Sequence, residues 1–193
     1  MPQEPHRDEG KSAAPWLSPG LVQSNEVVMR TILDPDHLGP DGKLASAAIS
    51  LEDIRFRGWS VDRKYFTSLW RVRLSHYRWK KKKPKVRNIY VLPVPVHDIR
   101  RPNPTTGQPD FVVTDTAMLL NPAHAAVLLS GPHGEGAARG FRNNLLGKLP
   151  QYVDLTQAFG STDKYGYLRG MFKQVTTILA SPFRNIFRSM SGF

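Results

Sequence analysis

His124 is the side chain whose neighbours in the sequence best equip it to move a proton. It follows Asn121-Pro122-Ala123, a helix-start signature with Asn121 as cap and Pro122 at the first helical position. Just inside such an N-terminus the helix dipole lowers an imidazole's pKa toward the neutral form, which accepts a proton as general base. Asp62 or Asp115 is available to orient the ring, and Arg63 or Arg142 to hold a phosphate. A set of His124, Asp62 and Arg63 would serve phosphodiester cleavage without a metal, so a nuclease-like enzyme is one expectation. The plainer reading, which the sequence favours, is that His124 packs against or caps its own helix and that the protein is not an enzyme. The sequence offers no serine in a nucleophile elbow, no phosphate-cradling glycine motif and no His pair at metal spacing.

The cations make the stronger argument. Between Arg55 and Arg101 lie fifteen of the twenty-seven Lys and Arg residues of this 193-residue chain, against only two acids, Asp62 and Asp98. A segment that repels itself this strongly persists in a folded protein when an anion offsets it, and nucleic acid and acidic headgroups are the commonest polyanions. Aromatic residues interleave with the charge: Trp59, Tyr65, Phe66, Trp70, Tyr77, Trp79 and Tyr90. Flat rings stack on unpaired bases, so the combination suits a single strand. The expected contacts are Arg71, Arg73, Arg78, Lys80, Lys81, Lys82, Lys83, Lys85 and Arg87, with Trp79 as a stacking ring. Adjacent lysines read phosphates, not bases, which predicts low sequence specificity. The plainer alternative makes the rings core and the charges a solvated face.

Other chemistry is bounded by composition. There is no cysteine, which removes disulfides, thiolate metal sites and thiol nucleophiles. Asp34-Pro35-Asp36-His37 and Asp41-Gly42 collect oxygens, but they read as turns rather than as a cation loop, and no metal or cofactor is expected. Met1 to Glu9 has no apolar leader, and no run approaches the roughly 18 apolar residues of a membrane span. A cytoplasmic protein is expected.

The elements that must position these residues are short, because sixteen prolines and fifteen glycines punctuate the chain. Residues 1–25 are polar and Pro/Gly/Ser-rich, which predicts a mobile tail that docks locally through Trp16. Glu26 to Leu33 predicts a first strand. Ala45 to Arg57 reads as helical in its second half, with Ser50 as cap and Gly58 as the stop. In the mixed stretch after Trp59, an Asp62–Arg63 ion pair would fix the connection. Ser68 to Lys80 fits either period, and as a strand it would put Arg71, Arg73 and Ser75 on one basic face. Residues 80–87 read as an exposed basic loop broken by Pro84. Asn88 to Val96 carries Pro93 and Pro95, which restrict it to a sheet edge. Phe111 to Thr114 predicts a strand, Pro122 to Leu129 a helix, and Glu135 to Leu149 a second helix with Ala138, Phe141, Leu145, Leu146 and Leu149 on one face. From Leu168 to Met190 apolar residues recur at steps of three and four, an amphipathic helix. Its Met171, Phe172, Val175, Phe183 and Phe187 would dock on a protein partner, on the chain's own domain or, less favoured, on a membrane surface.

Ser60-Val61-Asp62-Arg63 followed by Asn121-Pro122-Ala123-His124-Ala125 resembles small uncharacterised bacterial proteins that carry similar short motifs. The resemblance implies a bacterial source and no activity.

These readings converge on an α+β fold. It has a small, mainly antiparallel sheet and two or three helices, in one domain over residues 26–160 flanked by the tail and by a basic amphipathic helix over 161–193. The expected function is that of a non-catalytic accessory protein that binds nucleic acid or a nucleoprotein complex. The enzyme built on His124 and an adaptor acting through the C-terminal helix are the alternatives.

Overall fold

The computed structural model describes residues 18–68, 71–72, 77, 81–82, 85–118 and 121–155. The β-branched run at the start of the domain forms β1 (Val27–Asp34), the second strand of a five-stranded antiparallel sheet. The others are β2 (Trp59–Arg63), β3 (Asn88–Pro95), β4 (Phe111–Asp115) and β5 (His124–Leu129), in the order β3-β1-β2-β5-β4. Helical turns at Ser46–Ala48, Asp53–Arg57 and Lys64–Phe66, a short helix α1 (Val96–Ile99) and the longer α2 (Glu135–Lys148) complete the α+β architecture.

Strand periodicity divides the side chains between two faces. One face carries the main core: Val28 and Ile32, Trp59 and Val61, Leu92 and Val94, Val113, and Val127. Ile49, Ile54 and the Ala138–Leu145 side of α2 cover it. Trp59 is wholly buried and its indole N–H donates to the Ala48 carbonyl at 2.8 Å, so the ring's polar atom is satisfied where its bulk is most useful. Helix α2 and its apolar face are as the periodicity predicts, except that it ends at Lys148 and Leu149 is already extended.

The edge position of β3 follows from its prolines. Val91 exchanges hydrogen bonds with Val153 on the side away from β1, and Pro93 and Pro95 share that parity, so no ladder donor toward β1 is lost.

Four expectations are corrected. Residues 124–129 are a strand, not a helix, because His-Ala-Ala-Val-Leu-Leu is paired on both sides, by β2 and β4. A six-residue apolar run buried on both faces has no period that separates strand from helix. Asn121-Pro122 is a turn signal there, closed by bonds between Met118 and Asn121. Asp62 and Arg63 do not pair, since neighbours in a strand point to opposite faces. Residues 18–25, placed in the tail by sequence, pack on the domain: Val22 joins the core and Ser18 donates to Asp115. Between residues 69 and 84 the described positions, Arg71, Val72, Tyr77, Lys81 and Lys82, have helical backbone, against the strand alternative and, at the two lysines, against a loop.

Among the described residues no helix is long and apolar enough to cross a membrane.

Candidate functional site

The second face of the sheet carries apolar side chains toward β3 and a polar group at its centre. Val72 packs with Met29 and Val91, and Val86 with Leu33 and Ile89, so residues on either side of the lysine run are anchored on this face. Beside them β2 presents Ser60 and Asp62, and β5 opens with His124, paired in register to Asp62. The two short motifs of the sequence thus meet.

Ser60 Oγ lies 2.8 Å from His124 Nε2. On the far side of the ring, Nδ1 lies 3.2 Å from the Thr116 carbonyl and 2.7 Å from the Thr116 hydroxyl. A carbonyl only accepts, so the tautomer that satisfies it carries the proton on Nδ1. Nε2 then offers its lone pair to the Ser60 hydroxyl. Burial is the largest influence on the imidazole and lowers its pKa; Asp62, the Thr116 backbone and Asp115 pull it up, and Arg71 lowers it further. The depressed basicity that sequence assigned to a helix dipole comes from burial in a strand. The result is a neutral base aimed at an exposed hydroxyl, the arrangement that activates a nucleophile.

Asp62 supports the site through Asn121, whose Nδ2 donates to its carboxylate at 3.0 Å, while Arg71 Nε donates to Asn121 Oδ1 at 3.1 Å. Arg30 fills the gap where the β1–β2 ladder, which pairs only Val28 with Arg63 and Met29 with Asp62, opens. Its Nη1 donates to the Ser60 carbonyl at 2.7 Å, its guanidinium lies 5.6 Å from the centre of the Trp59 ring, and its buried Nε has no acceptor. Burial lowers the Arg30 pKa, with Asp53 and Asp62 opposing it. A cleft of about 270 Å³, lined by Arg30, Thr31, Ser60, Asp62, Asn121 and His124 among others, opens here. That is room for a phosphate or an ester group, below the roughly 300 Å³ at which pockets hold whole drug-sized ligands.

Arg63 belongs to a different cluster, on the core face. Its five N–H groups meet five acceptors: both Glu26 oxygens at 2.7 and 2.6 Å, the carbonyls of Gly20 at 2.6 Å and Leu21 at 3.3 Å, and Asp115 Oδ2 at 3.3 Å. Burial pushes the Asp115 carboxyl up, while bonds from Ser18 and the Ala117 N–H, and the charge of Arg63, hold it down. A cavity of about 610 Å³ lies alongside, lined in part by Leu21, Glu26, Arg63, Tyr65 and Phe66, but the guanidinium has no donor left for a ligand. Arg142, on α2, donates to Asn143, and its helix covers the core face, opposite His124.

Of the expected nucleic-acid contacts, Lys81, Lys82, Lys85 and Arg87 are exposed and Arg71 is half-buried; Arg87 pairs with Asp34 at 3.1 Å. Arg73, Arg78, Trp79, Lys80 and Lys83 lie outside the described residues, as do Met171, Phe172, Val175, Phe183 and Phe187. Among the rings, Trp59 and Phe66 are core, Tyr90 leans on Tyr152, and Tyr65 and Tyr77 are exposed. No three His, Asp or Glu side chains among the described residues group as metal ligands.

Sequence reasoning missed Ser60, Thr116 and Arg30 as neighbours of His124. The signal for Ser60 was available: its spacing of two from Asp62 puts both on one face once 59–63 is a strand.

Comparison with known proteins returns no matching family model, no matching curated protein and no matching solved structure.

Proposed function

We propose that this is a basic accessory protein that binds nucleic acid, preferentially single-stranded and with low sequence specificity, alone or within a nucleoprotein complex in the cytoplasm. The observation that carries the reading is the density of cations between Arg55 and Arg101, with Lys81, Lys82 and Lys85 exposed. Val72 and Val86, which bracket these lysines, pack on the second face of the sheet. A strand held by those lysines runs beside the His124 cleft, where Arg30 adds charge. Phosphate contacts of this kind release counterions. Replacing Lys81, Lys82 and Lys85 together by Gln therefore weakens binding to every sequence alike. It also flattens the plot of log K against log salt by about 0.7 for each phosphate no longer neutralised. Mobility shifts of single-stranded RNA and DNA at rising salt measure both, and an unchanged slope rejects the reading.

The Ser60–His124 contact favours a second reading, an enzyme that cleaves phosphodiesters without a metal. His124 is the general base, and cleavage of a bound strand is lost in His124→Gln with the fold retained.

A further inference from the structure

We infer that Ser60 is a nucleophile, activated by His124, and that the cleft supports group transfer from an anionic ester through a covalent intermediate on its Oγ. The inference rests on the second reading above and adds to it the atom that attacks.

Three observations converge. Ser60 is exposed and lines the cleft, and its hydroxyl sits 2.8 Å from Nε2 of a half-buried imidazole. The Thr116 carbonyl claims the proton on the other nitrogen, so the lone pair faces the hydroxyl instead of solvent. The Asp62 carboxylate, held by Asn121, favours the imidazolium that forms when the proton arrives. A serine with only a structural hydrogen bond would need neither an oriented base nor a cleft in front of it.

The substrate class follows from the walls. Arg30, which donates to the Ser60 carbonyl, puts a positive charge on the wall of the cleft, and the cleft admits a phosphate-sized group. An ester bearing negative charge, a phosphodiester above all, matches both.

The chemistry closes in two steps. Ser60 Oγ bonds to phosphorus as its proton passes to His124 Nε2, the bond from phosphorus to the leaving oxygen breaks, and Nε2 returns the proton to that oxygen. A water or a second hydroxyl then attacks phosphorus and gives its proton to Nε2, the bond from phosphorus to Ser60 Oγ breaks, and Nε2 passes the proton to Oγ to restore the hydroxyl. Hydrolysis needs no reactant besides water.

The absence of cysteine from the chain makes a direct test available. In Ser60→Cys the introduced thiol is the only one in the protein, and alkylation by iodoacetamide across pH reports its pKa. Beside a basic imidazole the thiolate forms well below the usual thiol value of about 8.5, and adding His124→Gln returns it to that value. In parallel, an alkyl fluorophosphonate is expected to phosphonylate Ser60 of the wild-type chain, mapped by peptide mass. Loss of the base is expected to slow this about 100-fold or more in His124→Gln. An ordinary thiol pKa, no adduct on Ser60, or an adduct formed equally fast without His124 overturns the inference. An oligonucleotide cleavage assay separates the two claims. Cleavage surviving Ser60→Ala but lost in His124→Gln leaves the nuclease reading standing and refutes the nucleophile. His124-dependent labelling without cleavage does the reverse.

Discussion

Asp62 and Arg63 are adjacent in the chain and end in two polar clusters that differ in every respect that matters. Arg63 is 3 % exposed and its donors are all consumed inside the protein, by Glu26, Asp115 and two backbone carbonyls. Asp62 is half-exposed on the other face, one link in a chain from Arg71 through Asn121, beside an imidazole turned toward a solvent-facing hydroxyl. One cluster is closed, and its polar groups serve to tie residues 18–26 to the sheet. The other is open on one side, so it has capacity to act on something else. The distinction is one of satisfied against available hydrogen-bonding groups, not of residue type.

The largest effect is expected at Arg63. Arg63→Met leaves the Glu26 and Asp115 carboxylates facing each other in a buried site, and loss of one partner from such a network costs about 3–5 kcal/mol. Denaturant unfolding measures it, and a loss under about 1 kcal/mol would show that the cluster is not structural. On the open side the same measurement should respond weakly. Ser60→Ala removes one hydrogen bond of an exposed hydroxyl, worth about 0.5–1.5 kcal/mol, while any group transfer disappears.

A smaller effect separates the clusters by pH. The lowered pKa of His124 means that the folded chain binds the imidazole's proton less readily than the unfolded chain does. Its contribution to stability is therefore complete above the ordinary value of about 6.5 and is lost as pH falls from there through the folded-state pKa. His124→Gln should flatten the stability profile over that interval, and the base-dependent reactivity of the wild type should fall in the same direction. An unaltered profile in the variant would remove the burial argument for a neutral base.

Most of the scaffold was legible in the sequence because it rests on local pattern. β1, β4, the proline-restricted edge β3 and the apolar stripe of α2 follow from β-branched runs, turn residues and periodicity. The site was half legible. His124 stood out by type, and Asp62 by its place in the charge pattern, but their partners depended on pairing between strands far apart in the chain. Reading 124–129 as a helix hid that pairing. The same error supplied a dipole as the reason for a neutral imidazole, when burial between β2 and β4 is the cause. Arg63 was misassigned for a related reason: sequence adjacency suggested a pair with Asp62, and strand geometry forbids it. Its true partners, Glu26 and Asp115, are separated from it by tens of residues and carry no local signal.

The most direct measurement follows amide shifts of the isotopically labelled full chain as a short single-stranded oligonucleotide is added at low salt. Shifts at Lys81, Lys82 and Lys85, spreading to Ser60, Asp62 and His124 while the Arg63, Glu26 and Asp115 signals stay in place, are expected if the second face is the functional one. Shifts centred on Gly20, Leu21 and Arg63, or none at saturating oligonucleotide, would contradict it.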